Sequence, residues 1–355
     1  MRLRVLVVDD SKLMRRLIRD LLSSDPTVEV VDEAPDGMTA VELIHRLRPD
    51  VVTLDVEMPG MSGLEVLGYV MSEIPTPVVM LTGLRDPHLA VRALALGAVD
   101  FVRKPSGTIS VDLYKVKEEL LQKVKMAPLA NLRKMHLEED EAATARRRKA
   151  PSRAAALATG KSPTWAVVIG ASTGGPPALE RLLGRVPAGL PAGLLVVQHM
   201  PAGFTRSLAQ RLNERTGLTV VEAEEGFPFQ PDWTYVAPGG HHLAVRAGDQ
   251  PGAVAVHLDD SPPRGTLRPA ADVTMSAAAA LFGPRTLGVL LTGMGSDGAE
   301  GFRAIREAGG RTLAQDRATS LIYGMPRIVA EQGLAEQVLP LEEIAAAIGK
   351  IVSEE

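Results

Sequence analysis

Five short strand-like runs punctuate the first 125 residues, four of them closed by a polar or charged side chain and all separated by stretches of helical periodicity, and this alternation leaves few folds open. Runs at 4–8, 28–34, 51–54, 78–81 and 100–103 are the predicted strands. Between them Leu13, Leu17, Ile18 and Leu21, then Val41, Ile44 and Leu47, recur as one face of a helix does. Gly97, after Leu94 and Leu96, reads as a helix stop. Strands separated by helices predict a parallel sheet with helices on both faces. Ligands on such sheets gather at the carboxyl ends of the strands.

Those ends carry a chemically coherent set. Strand one ends in Asp9-Asp10, strand three in Asp55 and the loop running through Glu57, strand four in Thr82 and strand five in Lys104. If the ends converge, three carboxylates, a hydroxyl and an ammonium share one pocket. Three carboxylates repel and need a cation to stay ionised together. Oxygen donors with an incomplete shell suit Mg²⁺, which keeps waters and shares phosphate oxygens. A carboxylate beside Mg²⁺ and a lysine is equipped to attack a phosphoryl group, with both cations neutralising the transferring oxygens. A single strand-end acid is ordinarily just solvated; the coincidence at successive strands is what points to a site.

The segments VVDDS, LDVEMPGMSG, MLTG and FVRKPS resemble the receiver domain of bacterial response regulators across residues 1–125. The resemblance implies a five-stranded, doubly wound, flavodoxin-like α/β domain that is phosphorylated by a histidine kinase. It implies Asp55 as phospho-acceptor, and a Mg²⁺ site formed by Asp9, Asp10, Asp55 and the Glu57 backbone carbonyl. Thr82 and Lys104 would sense the phosphoryl group, and Phe101 would be the aromatic that moves with Thr82.

A length of 355 residues suggests two domains or three small ones. The charge pattern places the break. Residues 126–163 hold eight Lys/Arg against four Asp/Glu, so a formal net charge of −4 conceals a basic stretch between two acidic ones. Acidic 138–141 and basic 146–149 blocks beside Ala, Ser, Gly and Pro read as a solvated linker, with the RRRK block less plausibly a nucleic-acid patch. The expected domains are therefore 1–125 and 164–355. The chain has no cysteine, which excludes disulfides, thiolate metal sites and a cysteine nucleophile. Its mildly acidic balance argues against nucleic-acid binding. Neither a signal peptide nor a membrane span is expected, so the reading is a cytoplasmic protein without direct membrane insertion.

The second domain opens with a strand at 164–169, then Gly170-Ala-Ser172-Thr-Gly174-Gly175, then a helix with proline in its first turn. The glycines fit either a dinucleotide pyrophosphate turn or a turn that projects Ser172 as a nucleophile. The next strand favours the serine, because it ends in Gln198-His199 where a dinucleotide site wants an acid for the ribose. A third strand at 286–291 runs into Thr292-Gly-Met294-Gly-Ser-Asp297. Ser172 attacking a carbonyl, His199 taking its proton and Asp297 holding the imidazole would make an acyl-transfer triad to water. The order Ser, His, Asp differs from that of the α/β-hydrolases.

IGASTGG, VVQHMP, YVAPGGHHL, LTGMGSDGAEG and AQDRATSLIYGMP are similar to the catalytic domain of the chemotaxis protein-glutamate methylesterases, over nearly all of 164–340. The resemblance implies a Rossmann-like three-layer α/β/α domain needing no cofactor of its own. It implies Ser172, His199 and Asp297 as triad, the Met294 amide as oxyanion donor, and Thr173 and Arg268 in the substrate cleft. The implied reaction is hydrolysis of glutamyl methyl esters on methyl-accepting chemoreceptors, often with deamidation of receptor glutamines. The implied phosphodonor is a chemotaxis histidine kinase. Ala270-Ala271 departs from the usual RPS before Val-Asp, which weakens the substrate-contact assignments. Two other readings of this domain stay open, a catalytically dead binding module and a dinucleotide-dependent oxidoreductase. His241-His242 resembles a metal pair, yet neighbours on a strand face opposite ways, so it reads as part of a turn and strand.

Overall fold

The computed structural model describes residues 2–83, 87–104, 110–132 and 162–354. Most of the expected linker, 133–161 with its charged blocks, lies outside the described residues. The chain divides into two compact units, Met1–Leu137 and Glu138–Glu355.

The first unit is a five-stranded sheet built from β1 (Leu3–Val8), β2 (Val28–Ala34), β3 (Val51–Asp55), β4 (Val78–Thr82) and β5 (Asp100–Arg103). The order is β2-β1-β3-β4-β5, with every pairing parallel. Helices α1 (Lys12–Ser23), α2 (Gly37–Leu47), α3 (Gly63–Glu73), α4 (Pro87–Ala95) and α5 (Ser110–Met126) cross between strands or close the unit. Helix α1 packs against α5 and α2 against α3, as helices on opposite faces of a doubly wound sheet do. Strands β3 and β4 are buried along their whole length, which is why they read as unbroken aliphatic runs. The start of α3 is fixed by a capping box in which Ser62 and Glu65 satisfy each other's backbone N–H. One periodic residue departs from expectation. Leu13 is 78% exposed, because the buried stripe of α1 is Ile18, Leu21 and Leu22, and five residues at ~100° each turn Leu13 away from Ile18.

The second unit centres on a seven-stranded parallel sheet of order β14-β13-β12-β6-β7-β9-β8. Its strands are β6 (Trp165–Ala171), β7 (Ala192–Gln198), β8 (Thr219–Glu222), β9 (Trp233–Val236), β12 (Thr286–Leu290), β13 (Arg311–Gln315) and β14 (Gln337–Leu339). The helices are α6 (Gly175–Leu183), α7 (Phe204–Arg215), α8 (Ala271–Phe282), α9 (Ala299–Glu307), α10 (Met325–Glu331) and α11 (Leu341–Ser353). Helix α6 packs with α7 and α11, and α8 with α9. A separate antiparallel hairpin, β10 (His242–Ala247) with β11 (Val254–Asp259), inserts before α8. From β6 the chain winds one way through β7 and the other way through β12, so the β6–β12 boundary is the topological switch point. None of the helices among the described residues is long and apolar enough to cross a membrane.

Candidate functional site

Parallel register decides what meets at the first sheet's edge. Val8 lies opposite Leu54, Leu54 opposite Met80, and Thr82 opposite Arg103, so Asp9, Asp55, Thr82 and Lys104 leave the sheet together. Lys104 Nζ bridges Asp9 Oδ2 at 2.7 Å and Asp55 Oδ2 at 2.6 Å. Asp9 and Asp55 are buried and Asp10 is exposed. Asp9 Oδ1 accepts from the Ser11 amide at 2.9 Å, and Asp55 Oδ1 accepts from the Glu57 amide at 3.3 Å. The Thr82 hydroxyl donates to the Gly83 carbonyl at 3.1 Å rather than to Asp55.

Burial pushes the Asp55 carboxyl up to about 6; Lys104 opposes this and the Asp9 charge adds to it. Burial would lower the Lys104 ammonium, but its hydrogen bonds and charge pairing with Asp55 and Asp9 raise it above its ordinary value. One carboxylate oxygen from each of Asp9, Asp10 and Asp55 lies within 4.8 Å of the others. Asp9 Oδ2 is buried and, its ion pair with Lys104 apart, makes no hydrogen bond. Three acids against one ammonium leave an excess of negative charge on hard oxygen donors, which fits a divalent cation such as Mg²⁺.

Phe101 is buried on β5, and its carbonyl accepts from Lys123 Nζ at 2.7 Å. That ammonium stands 5.3 Å from the centre of the Phe101 ring and pairs with Asp100 at 3.0 Å and Glu119 at 2.7 Å. Sequence reasoning missed Lys123, because its partners Asp100, Glu119 and the Phe101 carbonyl meet it only once α5 packs on β5.

The second site lies on the switch point. Ser172 follows β6, His199 follows β7, and the turn from Thr292 to Asp297 follows β12. Backbone bonds tie these three turns together: Ser172 N–H donates to the Thr292 carbonyl at 3.1 Å, and His199 N–H to the Ala171 carbonyl at 3.1 Å. His199 Nε2 meets Asp297 Oδ2 at 2.7 Å. Burial works to raise the Asp297 carboxyl, but hydrogen bonding and charge from His199, with the Asp272 and Ala271 amides, hold it below its ordinary value. Ser172 is half-buried, and among the described residues no hydrogen bond joins its Oγ to His199. Such bonds are often long before substrate binds. With Nε2 turned to Asp297, Nδ1 is the imidazole nitrogen left for Ser172.

Two glycines set how closely these turns approach. At Gly293 a Cβ would lie 2.5 Å from Met325 Sδ and 2.8 Å from Ser172 Cβ. At Gly175 it would lie 1.9 Å from Gln198 Oε1. Gly293→Ala is therefore expected to cost about 1–3 kcal/mol of stability. It should also slow turnover roughly 100-fold by displacing the serine. Thermal melts and ester-hydrolysis rates on the same variant would check both, and a wild-type rate would contradict the argued contact.

The other expected positions fall nearby or apart. Thr173 is buried, with its carbonyl accepting from Thr292 Oγ1 at 3.0 Å, and Met294 is half-buried on the turn beside Ser172. Arg268 donates to the Asp260 and Ser261 carbonyls, both at 3.3 Å, at the foot of the segment leading into α8. His241 is half-buried and pairs with Asp260 at 2.5 Å, while His242 is buried and accepts the Ala270 N–H at 3.2 Å. These two histidines part to different environments, and the acid trio of the first unit is the one metal-type cluster found among the described residues.

Comparison with known proteins then decides the family. Residues 167–348 match the family model described as CheB methylesterase, and 5–112 match the response regulator receiver domain. The protein-glutamate methylesterase/protein-glutamine glutaminase of Symbiobacterium thermophilum is 48% identical, over 99% of this chain and 98% of its own length. The chain belongs to the CheB methylesterase family. A relative of the same description from Geobacillus kaustophilus is 47% identical, over 99% of each chain. The crystal structure of the Thermotoga maritima CheB methylesterase catalytic domain is 43% identical, with a TM-score of 0.51 over 53% of this chain and 98% of that one.

Two residues of this site were not legible beforehand. Gln198 was read only as the absence of a ribose-binding acid, yet its Nε2 donates to the Ser172 carbonyl at 2.9 Å and the His199 carbonyl at 3.2 Å. Asp272 carries no sequence signal of its own.

Proposed function

We propose that this chain hydrolyses γ-glutamyl methyl esters on methyl-accepting chemoreceptors, and deamidates receptor glutamines, under control of phosphorylation at Asp55. The observation that carries the chemistry is the His199–Asp297 hydrogen bond set beside the Ser172 turn at the sheet's switch point. Family membership supports the substrate class.

Ser172 Oγ attacks the ester carbonyl while His199 Nδ1 takes its proton, and Asp297 stabilises the imidazolium through Nε2. The Met294 amide would donate to the oxyanion, with Thr173 and Arg268 assigned to the substrate cleft by the family resemblance. The carbonyl–methoxy bond breaks, His199 returns the proton to the leaving oxygen, and methanol departs. Water, deprotonated by His199, then cleaves the acyl–serine bond and restores the hydroxyl. A glutamine side chain presents the same carbonyl with ammonia as leaving group, so one geometry serves both reactions.

In the receiver, Asp55 is the phospho-acceptor, its donor a chemotaxis histidine kinase. Asp9, Asp10, Asp55 and the Glu57 carbonyl would hold Mg²⁺, which supplies charge neutralisation during phosphoryl transfer. Lys104 neutralises the same pocket from its other side. Thr82 leaves its Gly83 partner to meet the phosphoryl group, and Phe101 follows.

Methanol release from membranes carrying methylated receptors, with and without a small-molecule phosphodonor, tests the whole reading. No release under either condition would refute the esterase. Asp55→Asn, or chelation of divalent cations, is expected to abolish the stimulation by phosphodonor while leaving the unstimulated rate unchanged. Stimulation that survives Asp55→Asn would remove Asp55 from the switch.

A further inference from the structure

Two acids in the second unit hold each other's helices. The Asp297 carboxylate, already bonded to His199, also accepts the first N–H groups of α8: Ala271 N–H reaches Oδ2 at 2.6 Å and Asp272 N–H reaches Oδ1 at 3.0 Å. Asp272 returns the arrangement. Its Oδ1 accepts Gly298 N–H at 2.9 Å and Gly301 N–H at 2.7 Å, at the start of α9, the helix that follows Asp297. Each acid satisfies N–H groups that its partner's helix start leaves without an intrahelical acceptor. The consequence is a closed loop in which the turn holding Asp297 is clamped from α8 by Asp272, and α8 is clamped to that turn by Asp297.

We propose that Asp272 is a positioning residue for the triad, fixing the Asp297 carboxylate at the distance and angle that His199 requires. It touches neither substrate nor His199; it acts through the Gly298 and Gly301 amides. The local charges agree with this. Burial pushes the Asp272 carboxyl above its ordinary value, the charge and side-chain contact of neighbouring Asp297 add to this, and the Gly301 and Gly298 N–H bonds oppose it. Two carboxylates this close persist because the backbone amides of both helix starts are divided between them.

The proposal rests on the triad reading, so its test uses a probe that reports an activated serine whatever the natural substrate. The probe is a fluorophosphonate that labels Ser172 on the full-length chain, with methanol release from methylated receptor membranes as a second readout. Asp272→Ala removes the clamp and is expected to lower the labelling rate at least about tenfold and to lower kcat for methanol with KM unchanged. Asp272→Asn keeps an acceptor oxygen for both glycine amides and is expected to stay within about threefold of wild type. Rescue by asparagine is the signature that separates positioning from general loss of fold. If Asp272→Ala does not fold, Asp272→Ser takes its place, since its short hydroxyl cannot serve both amides, and the same tenfold loss is expected. Alanine or serine labelling at the wild-type rate, or asparagine falling as far as alanine, would overturn the proposal. A wild-type chain that fails to label at all would instead overturn the triad, and the proposal with it.

Discussion

Ser172→Ala is expected to abolish measurable methanol release, a loss of roughly 10⁴-fold or more, while leaving the melting temperature of the second unit unchanged. The second half of that expectation follows from the side chain's surroundings. Ser172 Oγ is half-buried and has no hydrogen bond among the described residues, so removing it strands no partner. The turn itself is held by the backbone bond from Ser172 N–H to Thr292 and by Gln198 Nε2 on the Ser172 carbonyl, both of which alanine keeps. The stability change should stay within about 0.5 kcal/mol. Hydrolysis rates paired with calorimetry decide it, and an alanine variant that retains esterase activity would remove Ser172 from the chemistry.

Asp297→Asn should be costly in both respects. Asp297 Oδ2 accepts from His199 Nε2 and Ala271 N–H, and Oδ1 accepts from Asp272 N–H. Every direction around the carboxylate therefore faces a donor. An asparagine must point its NH₂ at one of them, whichever way it is flipped. Pointed at His199, it forces a proton off Nε2 and onto Nδ1, where Ser172 needs an acceptor; the resulting loss in kcat is expected to be about 10⁴-fold. In either flip the NH₂ also faces an α8 donor, Ala271 N–H from the Oδ2 position or Asp272 N–H from the Oδ1 position, at a cost of about 1–3 kcal/mol of stability. The measurement is kcat together with a denaturation midpoint. A variant as stable as wild type and merely tenfold slower would mean that the α8 contacts are not what holds the carboxylate.

How much of this was readable from residues differs between the two sites for a physical reason. In the receiver, β3 and β4 are buried on both faces and so appear as aliphatic runs, and their ends fall directly on Asp55 and Thr82. Parallel register then brings consecutive ends together without further information. Ser172 and His199 are legible on the same principle, each standing just past a strand. Asp272 is not, because its partners Gly298 and Gly301 lie 26 and 29 residues on and the link is made by backbone amides, which leave no mark in side-chain pattern. Gln198 escaped for a similar reason, since it bonds two carbonyls. The β10–β11 hairpin broke the expected alternation of strand and helix, and nothing in periodicity separates an inserted antiparallel pair from two more sheet strands.

The close contact between Gly293 and Ser172 bears on descent as well as on rate. Space, rather than bond-making, forbids a side chain at Gly293 and at Gly175, and that prohibition would persist in a descendant that had lost its serine. A paralogue turned into a pure docking module would thus be expected to retain the glycines of this motif long after Ser172, His199 or Asp297 had drifted. On the proposed triad, the glycine pattern would mark ancestry, and the three polar residues together would distinguish a working member from a retired one.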